Sequence, residues 1–144
     1  SIEAANERGV LFVAASGNQQ LDLDIYQSFP TSFGLEGVIS VSAITSRGYI
    51  ASFSNYGRRS VEVVAPGEDI FSTYKNAQTV FLSGTSMAAP MVSALAAIAK
   101  QIHPELDSYS LKNLLVSSVS AGNFAVISRG EVDTKNVVDL LLSF

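Results

Sequence analysis

Cysteine is absent from the 144 residues, which excludes disulfides, zinc–thiolate sites and a thiol nucleophile. Histidine occurs once, at His103. Charge is sparse: 15% of residues are charged, the net charge is −4, and Arg58-Arg59 is the only adjacent basic pair. Without a basic stripe, nucleic acid is not an expected partner. The longest nearly apolar run, 87–99, is interrupted by Ser93 and falls short of the roughly 18–20 residues of a membrane span. No glycine-rich phosphate loop is present. Residues 1–9 carry Glu3 and Glu7 and no apolar central stretch, so they do not read as a signal peptide.

What is there is a globular composition, 47% apolar, with α/β organisation. Ile2 to Arg8 reads as the end of a helix, with Gly9 just past it. Val10-Leu11-Phe12-Val13-Ala14-Ala15 has no alternation, the pattern of a strand buried on both faces in a parallel sheet. A long polar segment, 16–37, follows, and loops of that length are usually functional. Val38 to Ala43 and Val61 to Ala65 read as two more strands, the latter ended by Pro66-Gly67. Ile70 to Tyr74 and Thr79 to Leu82 predict a hairpin turning at Lys75-Asn76-Ala77. Met87 to Ile102 is alanine-rich and apolar nearly all round, which predicts a buried helix. Ser110 to Val119, capped by Ser108 or Ser110, and Thr134 to Leu142, capped by Asp133, are further helices. The expectation is an α/β fold with a mostly parallel sheet flanked by helices. The chain opens inside a helix that leads into a central-looking strand, so an N-terminal part of the sheet is expected to be missing.

Two segments carry candidate chemistry. Ser83-Gly84-Thr85-Ser86-Met87-Ala88-Ala89-Pro90 is a small-residue turn entering the buried helix. It places Ser86 at the helix N-terminus, where free N–H groups and the positive dipole end would stabilise an oxyanion. Pro90 cannot donate to the Ser86 carbonyl, which loosens the first turn. A serine in an ordinary helix cap is the competing reading, and local physics does not separate the two. Ala14-Ala15-Ser16-Gly17-Asn18 ends the first strand at the edge where open α/β sheets bind ligands. The Asn18 amide could donate to developing negative charge there, although in isolation a Gly-Asn turn is the simpler reading.

Together these residues resemble the subtilisin-like serine proteases, the subtilases. Gly84-Thr85-Ser86-Met87-Ala88-Ala89-Pro90 is nearly verbatim the family's serine motif. Ala15-Ser16-Gly17-Asn18 matches its oxyanion segment, and Ser28-Phe29-Pro30 an aromatic–proline pair on its specificity pocket. Ala51-Ser52-Phe53-Ser54-Asn55-Tyr56-Gly57 and Val64-Ala65-Pro66-Gly67 match two further segments in the right order. The resemblance implies that Ser86 is the nucleophile, with its own N–H and the Asn18 side chain as oxyanion hole. It implies that Ala15, Ser16 and Gly17 line one side of the pocket for the residue before the scissile bond, and Ser28, Phe29 and Pro30 another. Leu82 and Ser83 would lie beside the substrate, and Phe29-Pro30 is a cis-peptide candidate. It also implies a secreted or extracytoplasmic enzyme that needs no cofactor, with structural calcium a possibility in the complete protein.

The chain departs from the family pattern at Met91, where many members have a structural histidine. It also lacks the aspartate and histidine motifs that precede the oxyanion asparagine. His103 lies 17 residues after Ser86, nearly all in one predicted helix. At about 1.5 Å per residue it is roughly 25 Å away, whereas a general base must lie within about 3 Å; His103 reads as a helix-end residue. An α/β-hydrolase elbow is excluded, because its last glycine is missing and no acid lies between Ser86 and His103. Asp22 and Asp24 lack the ligand series of a calcium loop and read as a solvated loop. Arg58-Arg59 reads as a solvated turn.

The expectation is therefore the C-terminal portion, residues 1–144, of a subtilisin-like catalytic domain. The parent would be a serine endopeptidase whose aspartate and histidine come from a missing N-terminal part, the chain's principal partner besides its peptide substrate. Alone, the chain is expected to be inactive and to expose a strand edge. The alternatives are a non-catalytic subtilase-like module that binds peptides or a partner chain, and an unrelated small-molecule binder. The uncharged pocket residues imply a neutral cleavage-site preference, and Met87, adjoining the nucleophile, implies sensitivity to oxidation.

Overall fold

The computed structural model describes residues 1–143. Its elements in chain order are α1 (Ile2–Asn6), β1 (Phe12–Ala15), β2 (Val38–Ile44), β3 (Val63–Pro66), β4 (Ile70–Tyr74), β5 (Gln78–Leu82), α2 (Thr85–Ile102), α3 (Ser108–Ser117), β6 (Val119–Ala121), β7 (Gly130–Val132) and α4 (Thr134–Leu141). One sheet has the order β1-β2-β3-β7-β6 and a separate ribbon pairs β4 with β5. β1, β2, β3 and β7 run parallel, and β6 closes the far edge antiparallel to β7. The α/β architecture with a mostly parallel sheet is thus present. Strands β6 and β7 are too short, at three residues each, to show a period in the sequence.

The core follows from which strand is central. Every residue of β2 is buried, because it pairs on both sides and α2 lies across it. α2 presses Ala88, Val92, Leu95, Ala96 and Ala99 onto the strands, joined by Leu111, Leu114 and Leu115 of α3 and Val137 and Leu141 of α4. Small residues on α2 let helix and sheet approach closely. Gly67 belongs to the same contact: a Cβ there would stand 2.6 Å from Ala43 Cβ and 2.9 Å from the Gly84 carbonyl oxygen.

Three expectations need correction. β1 is not buried on both faces: Phe12 is 36% exposed and Val10, just before it, 51%. Within the described residues β1 pairs only with β2, so its apolar run marks an edge. α2 is not buried all round either. Its sheet-facing side is covered, while Ser86, Pro90, Ser93, Ala94, Ala97 and Ile98 form an exposed stripe. α3 is capped by Asp107, whose carboxylate accepts from Ser110 N–H at 2.7 Å, rather than by a serine. Asp133 caps α4 as expected, accepting from the N–H groups of Lys135 and Asn136. The hairpin turns at Lys75–Ala77.

A half-buried ion pair ties α3 to the sheet. Lys112 Nζ donates to Glu62 Oε1 and to the Val38 carbonyl, each at 2.6 Å, and Glu62 Oε2 accepts from Ser40 N–H at 2.7 Å. At the far end of α2, His103 is placed between Glu105 Oε1 (2.9 Å from Nδ1) and the Leu141 carbonyl (3.0 Å from Nε2). Both neighbours are acceptors, so only the imidazolium satisfies both. The Leu141 carbonyl first, then Glu105, hold its pKa above the ordinary value. Lys100 lies near the partner carboxylate, where its charge helps hold the Glu105 pKa low, and its Nζ donates to the Pro104 carbonyl at 3.1 Å.

A raised folded-state pKa contributes stability that is complete below the unfolded value, about 6.5, and is lost as pH rises through the folded value. The stability difference between wild type and His103→Gln is therefore expected to be larger at pH 5 than at pH 9 in denaturant titrations. An equal difference at both would show that the imidazolium is not the stabilising form.

Candidate active site

The site forms where the C-terminal end of β1 meets the N-terminus of α2. The first turn of α2 closes by a Met87 N–H to Gly84 carbonyl bond of 3.0 Å, and Gly84 is held by its own N–H to the Gly67 carbonyl at 2.7 Å. Ser86 is exposed in that turn, where helix N–H groups have no intrahelical acceptor and the dipole is positive. The helix runs on through Pro90 without a break.

Asn18 reaches this turn from β1. Its Oδ1 accepts twice from Thr85, from the backbone N–H at 2.9 Å and from the hydroxyl at 3.0 Å. Thr85 Oγ1 in turn accepts from Gly17 N–H at 3.1 Å. Two donors on Oδ1 fix which end of the amide is oxygen, so Nδ2 is turned the other way. It lies 3.3 Å from where a Cβ on Gly84 would stand. A side chain at 84 would crowd the amide, and glycine leaves the approach open. Such a pairing of an exposed hydroxyl, a helix N-terminus and a free amide donor can stabilise an oxyanion beside a nucleophile.

The structure thus brings Gly17, Asn18, Gly84 and Thr85 into one bonded unit with Ser86. Ala15 and Gly17 are half-buried at its margin. Ser16 is fully buried, and its hydroxyl donates inward to the Asn55 carbonyl at 3.1 Å. Leu82 and Ser83 are exposed at the end of β5, and Ser83 Oγ accepts from Asp69 N–H at 2.9 Å. Ser28, Phe29 and Pro30 stand apart. The Phe29-Pro30 bond is cis, Phe29 is 58% exposed and its ring lies 4.7 Å from that of Phe33. Among the described residues no hydrogen bond joins this corner to the Ser86 turn. Met87 is half-buried, its sulfur 3.7 Å from the Cβ position of Gly84. His103 is at the opposite end of α2.

Asp24 is not a solvated loop residue. Its carboxylate accepts from Arg59 N–H at 2.9 Å and Ser60 Oγ at 2.8 Å, and pairs with the exposed Arg59 guanidinium at 3.7 Å. Burial opposes its ionisation, but the Arg59 N–H, the Ser60 hydroxyl and the Arg59 charge outweigh it and hold the carboxyl below its usual range. Asp22 accepts from Asp24 N–H at 3.0 Å. Among the described residues no group of three or more His, Asp or Glu side chains could hold a metal ion. Nor is any helix there long and apolar enough to cross a membrane.

A family model described as the subtilase family, peptidase S8, matches residues 1–137. The chain belongs to the subtilase family. A "Subtilisin-like protease 2" of Plasmodium falciparum is 43% identical to this subtilase over 93 residues, 65% of this chain and 7% of the relative. An "M-protease" of Shouchella clausii is 35% identical over 136 residues, 94% of this chain and 34% of the relative. Two solved structures are similar over 97% of the chain. A protease from Pseudoalteromonas arctica has a TM-score of 0.86 at 28% identity and is covered over 45% of its length. A prenylagaramide maturation protease has a TM-score of 0.82 at 31% identity and is covered over 54%. The chain therefore spans about half or less of each of these proteins.

The residue that sequence reasoning missed is Thr85. It lay inside the serine motif, but only the fold brings its hydroxyl between Gly17 and Asn18. Thr85→Val removes that hydroxyl at nearly constant volume and leaves Gly17 N–H without a partner. It is expected to cost about 1–3 kcal/mol, read from the urea midpoint, with Thr85→Ser retaining most of the stability. A larger loss in Thr85→Ser than in Thr85→Val would assign the stability to the methyl group instead of the hydroxyl.

Proposed function

We propose that this chain carries the nucleophile half of a subtilisin-type serine endopeptidase. Ser86 attacks the scissile carbonyl, an acyl-enzyme forms, and water releases the acid. The Ser86 N–H and Asn18 Nδ2 donate to the oxyanion of each tetrahedral intermediate. The observation that carries this reading is the exposed Ser86 at the start of α2 with the Asn18 amide oriented by Thr85 onto the same turn. A donor fixed before the reaction stabilises the transition state without reorganisation cost.

The proton acceptor for Ser86 comes from outside these 144 residues. His103 is the one histidine present and lies roughly 25 Å along α2 at about 1.5 Å per residue. We take residues 1–144 as part of one catalytic domain whose remainder supplies the histidine and aspartate. The outer edge of β1 and the stripe Pro90, Ala94 and Ile98 on α2 give that remainder an apolar surface to cover. On this reading the chain alone is inactive, the complete protein needs no cofactor for the chemistry, and it acts outside the cytoplasm on peptide or protein substrates. Ala15, Ser16, Gly17, Ser28 and Phe29 border the pocket for the residue before the scissile bond, and Leu82 and Ser83 flank the substrate. None of them is charged.

In the complete protein, a serine-directed phosphonate is expected to label Ser86, and Ser86→Ala to abolish both labelling and hydrolysis. Asn18→Leu is expected to lower kcat by about 10²–10³ with little change in KM, a magnitude carried over from subtilisin, the reference case for an oxyanion-hole asparagine. Hydrolysis that survives Ser86→Ala would overturn the assignment. On short peptide substrates, an uncharged residue before the scissile bond is expected to give higher kcat/KM than Lys or Arg; the reverse order would mean that charged walls from elsewhere dominate the pocket.

A further inference from the structure

We propose that Asn55 is the positioning residue of the oxyanion segment: it touches no substrate, yet it sets where the Asn18 amide stands. The kinetic consequence rests on the protease reading above.

Asn55 lies between β2 and β3 and is fully buried. Its Oδ1 accepts from Gln19 N–H at 3.0 Å and from Leu21 N–H at 2.9 Å. Its Nδ2 donates to the Ser16 carbonyl at 2.9 Å and to Gln19 Oε1 at 3.0 Å. An asparagine side chain offers two donors and a two-lone-pair acceptor, so its whole capacity is spent on the segment that carries Asn18. The partners bracket Asn18 on both sides. The Asn55 backbone joins in: its N–H donates to the Gly17 carbonyl at 2.9 Å. Gly17 has φ +105°, and a Cβ there would stand 2.5 Å from Asn55 Nδ2, so the segment is wrapped on the amide with no room for a side chain.

Asn55 is in turn fixed to the sheet. Its carbonyl accepts from the hydroxyls of Ser16 (3.1 Å), Ser42 of β2 (2.6 Å) and Ser54 (3.0 Å). Of residues 16–19, Asn18 alone makes no bond to Asn55; its side chain goes to Thr85 instead. The oxyanion segment is thus held at two places: the Asn18 amide by Thr85 of α2, and the backbone on either side of it by Asn55, itself tied to β2, with Gly17 bonded to both. Buried polar groups that are fully paired specify one geometry, and one lost donor leaves the rest unsatisfied.

The test uses the complete protein. Asn55→Asp keeps acceptors for Gln19 and Leu21 but turns an oxygen toward the Ser16 carbonyl. Its kcat is expected to fall about tenfold or more with KM within about threefold, because the hole acts in the transition state. In an Asn18→Leu background the same substitution is expected to change kcat less than about twofold, the signature of two residues acting through one group. The same fractional loss in both backgrounds, or a loss confined to KM, would overturn the inference. If Asn55→Asp does not fold, Asn55→Gln, which keeps the amide at a longer reach, enters the same cycle under the same criteria. A second readout needs no turnover: the Asn18 side-chain amide resonances are expected to move in the Asn55 variant and to stay in place in Lys135→Ala. Unmoved Asn18 resonances would overturn the positioning role, whereas an inactive wild-type protein would overturn only the protease reading.

Discussion

The bonds from Thr85 to Asn18 Oδ1 join the two halves of the site. Thr85 belongs to the helix that carries Ser86, and Asn18 belongs to the loop that leaves β1. Neither element alone fixes an oxyanion geometry, because a loop amide can rotate and a helix start offers only its own N–H groups. Two donors on one oxygen remove the rotation. The third bond, from Gly17 N–H to Thr85 Oγ1, makes the hydroxyl both donor and acceptor, so the unit is closed on itself.

This coupling depends on close approach of backbone, which explains the small residues around it. Gly84 leaves the Asn18 amide uncovered, Gly67 lets the turn before α2 rest on Ala43 of β2, and Gly17 lets its segment lie against the buried Asn55. The alanines of α2 set the helix low on the sheet, bringing its N-terminus level with the ends of β1 and β2. The site is therefore a consequence of packing: larger residues at these positions would lift the helix away before they touched a substrate.

The polar interior near the site differs in kind from the apolar core under α2. Ser16, Ser42, Ser54 and Asn55 are all fully buried and mutually bonded, while Val41, Val92 and Leu115 fill the space beneath the helix. A buried polar cluster contributes little net stability relative to an apolar one of the same shape, but a paired amide permits fewer arrangements than a methyl group. Placed beside the end of β1, that restriction bears on the geometry of one side chain.

Much of this was legible in the sequence. The strands read at 38–43 and 61–65 (observed at 38–44 and 63–66), the hairpin, the long helix, the Asp133 cap and the serine motif all declare themselves through local pattern, because propensity and turn chemistry act over a few residues. His103 was legible as a helix-end residue by distance alone. The errors at β1 and α2 share one cause. An apolar run states that a surface can be buried, and only the neighbours in space decide whether it is. The short strands β6 and β7 exist through their pairing with each other and β3, which no window of three residues reveals. Thr85 and Asn55 likewise have no local mark: their bonds reach residues 67 and 36 positions away in the chain. The sequence by itself determined which chemistry is present, a serine at a helix start and an amide at a strand end. The tertiary structure alone decided how the amide points, because hydrogen-bond geometry depends on partners that only folding brings within three ångströms.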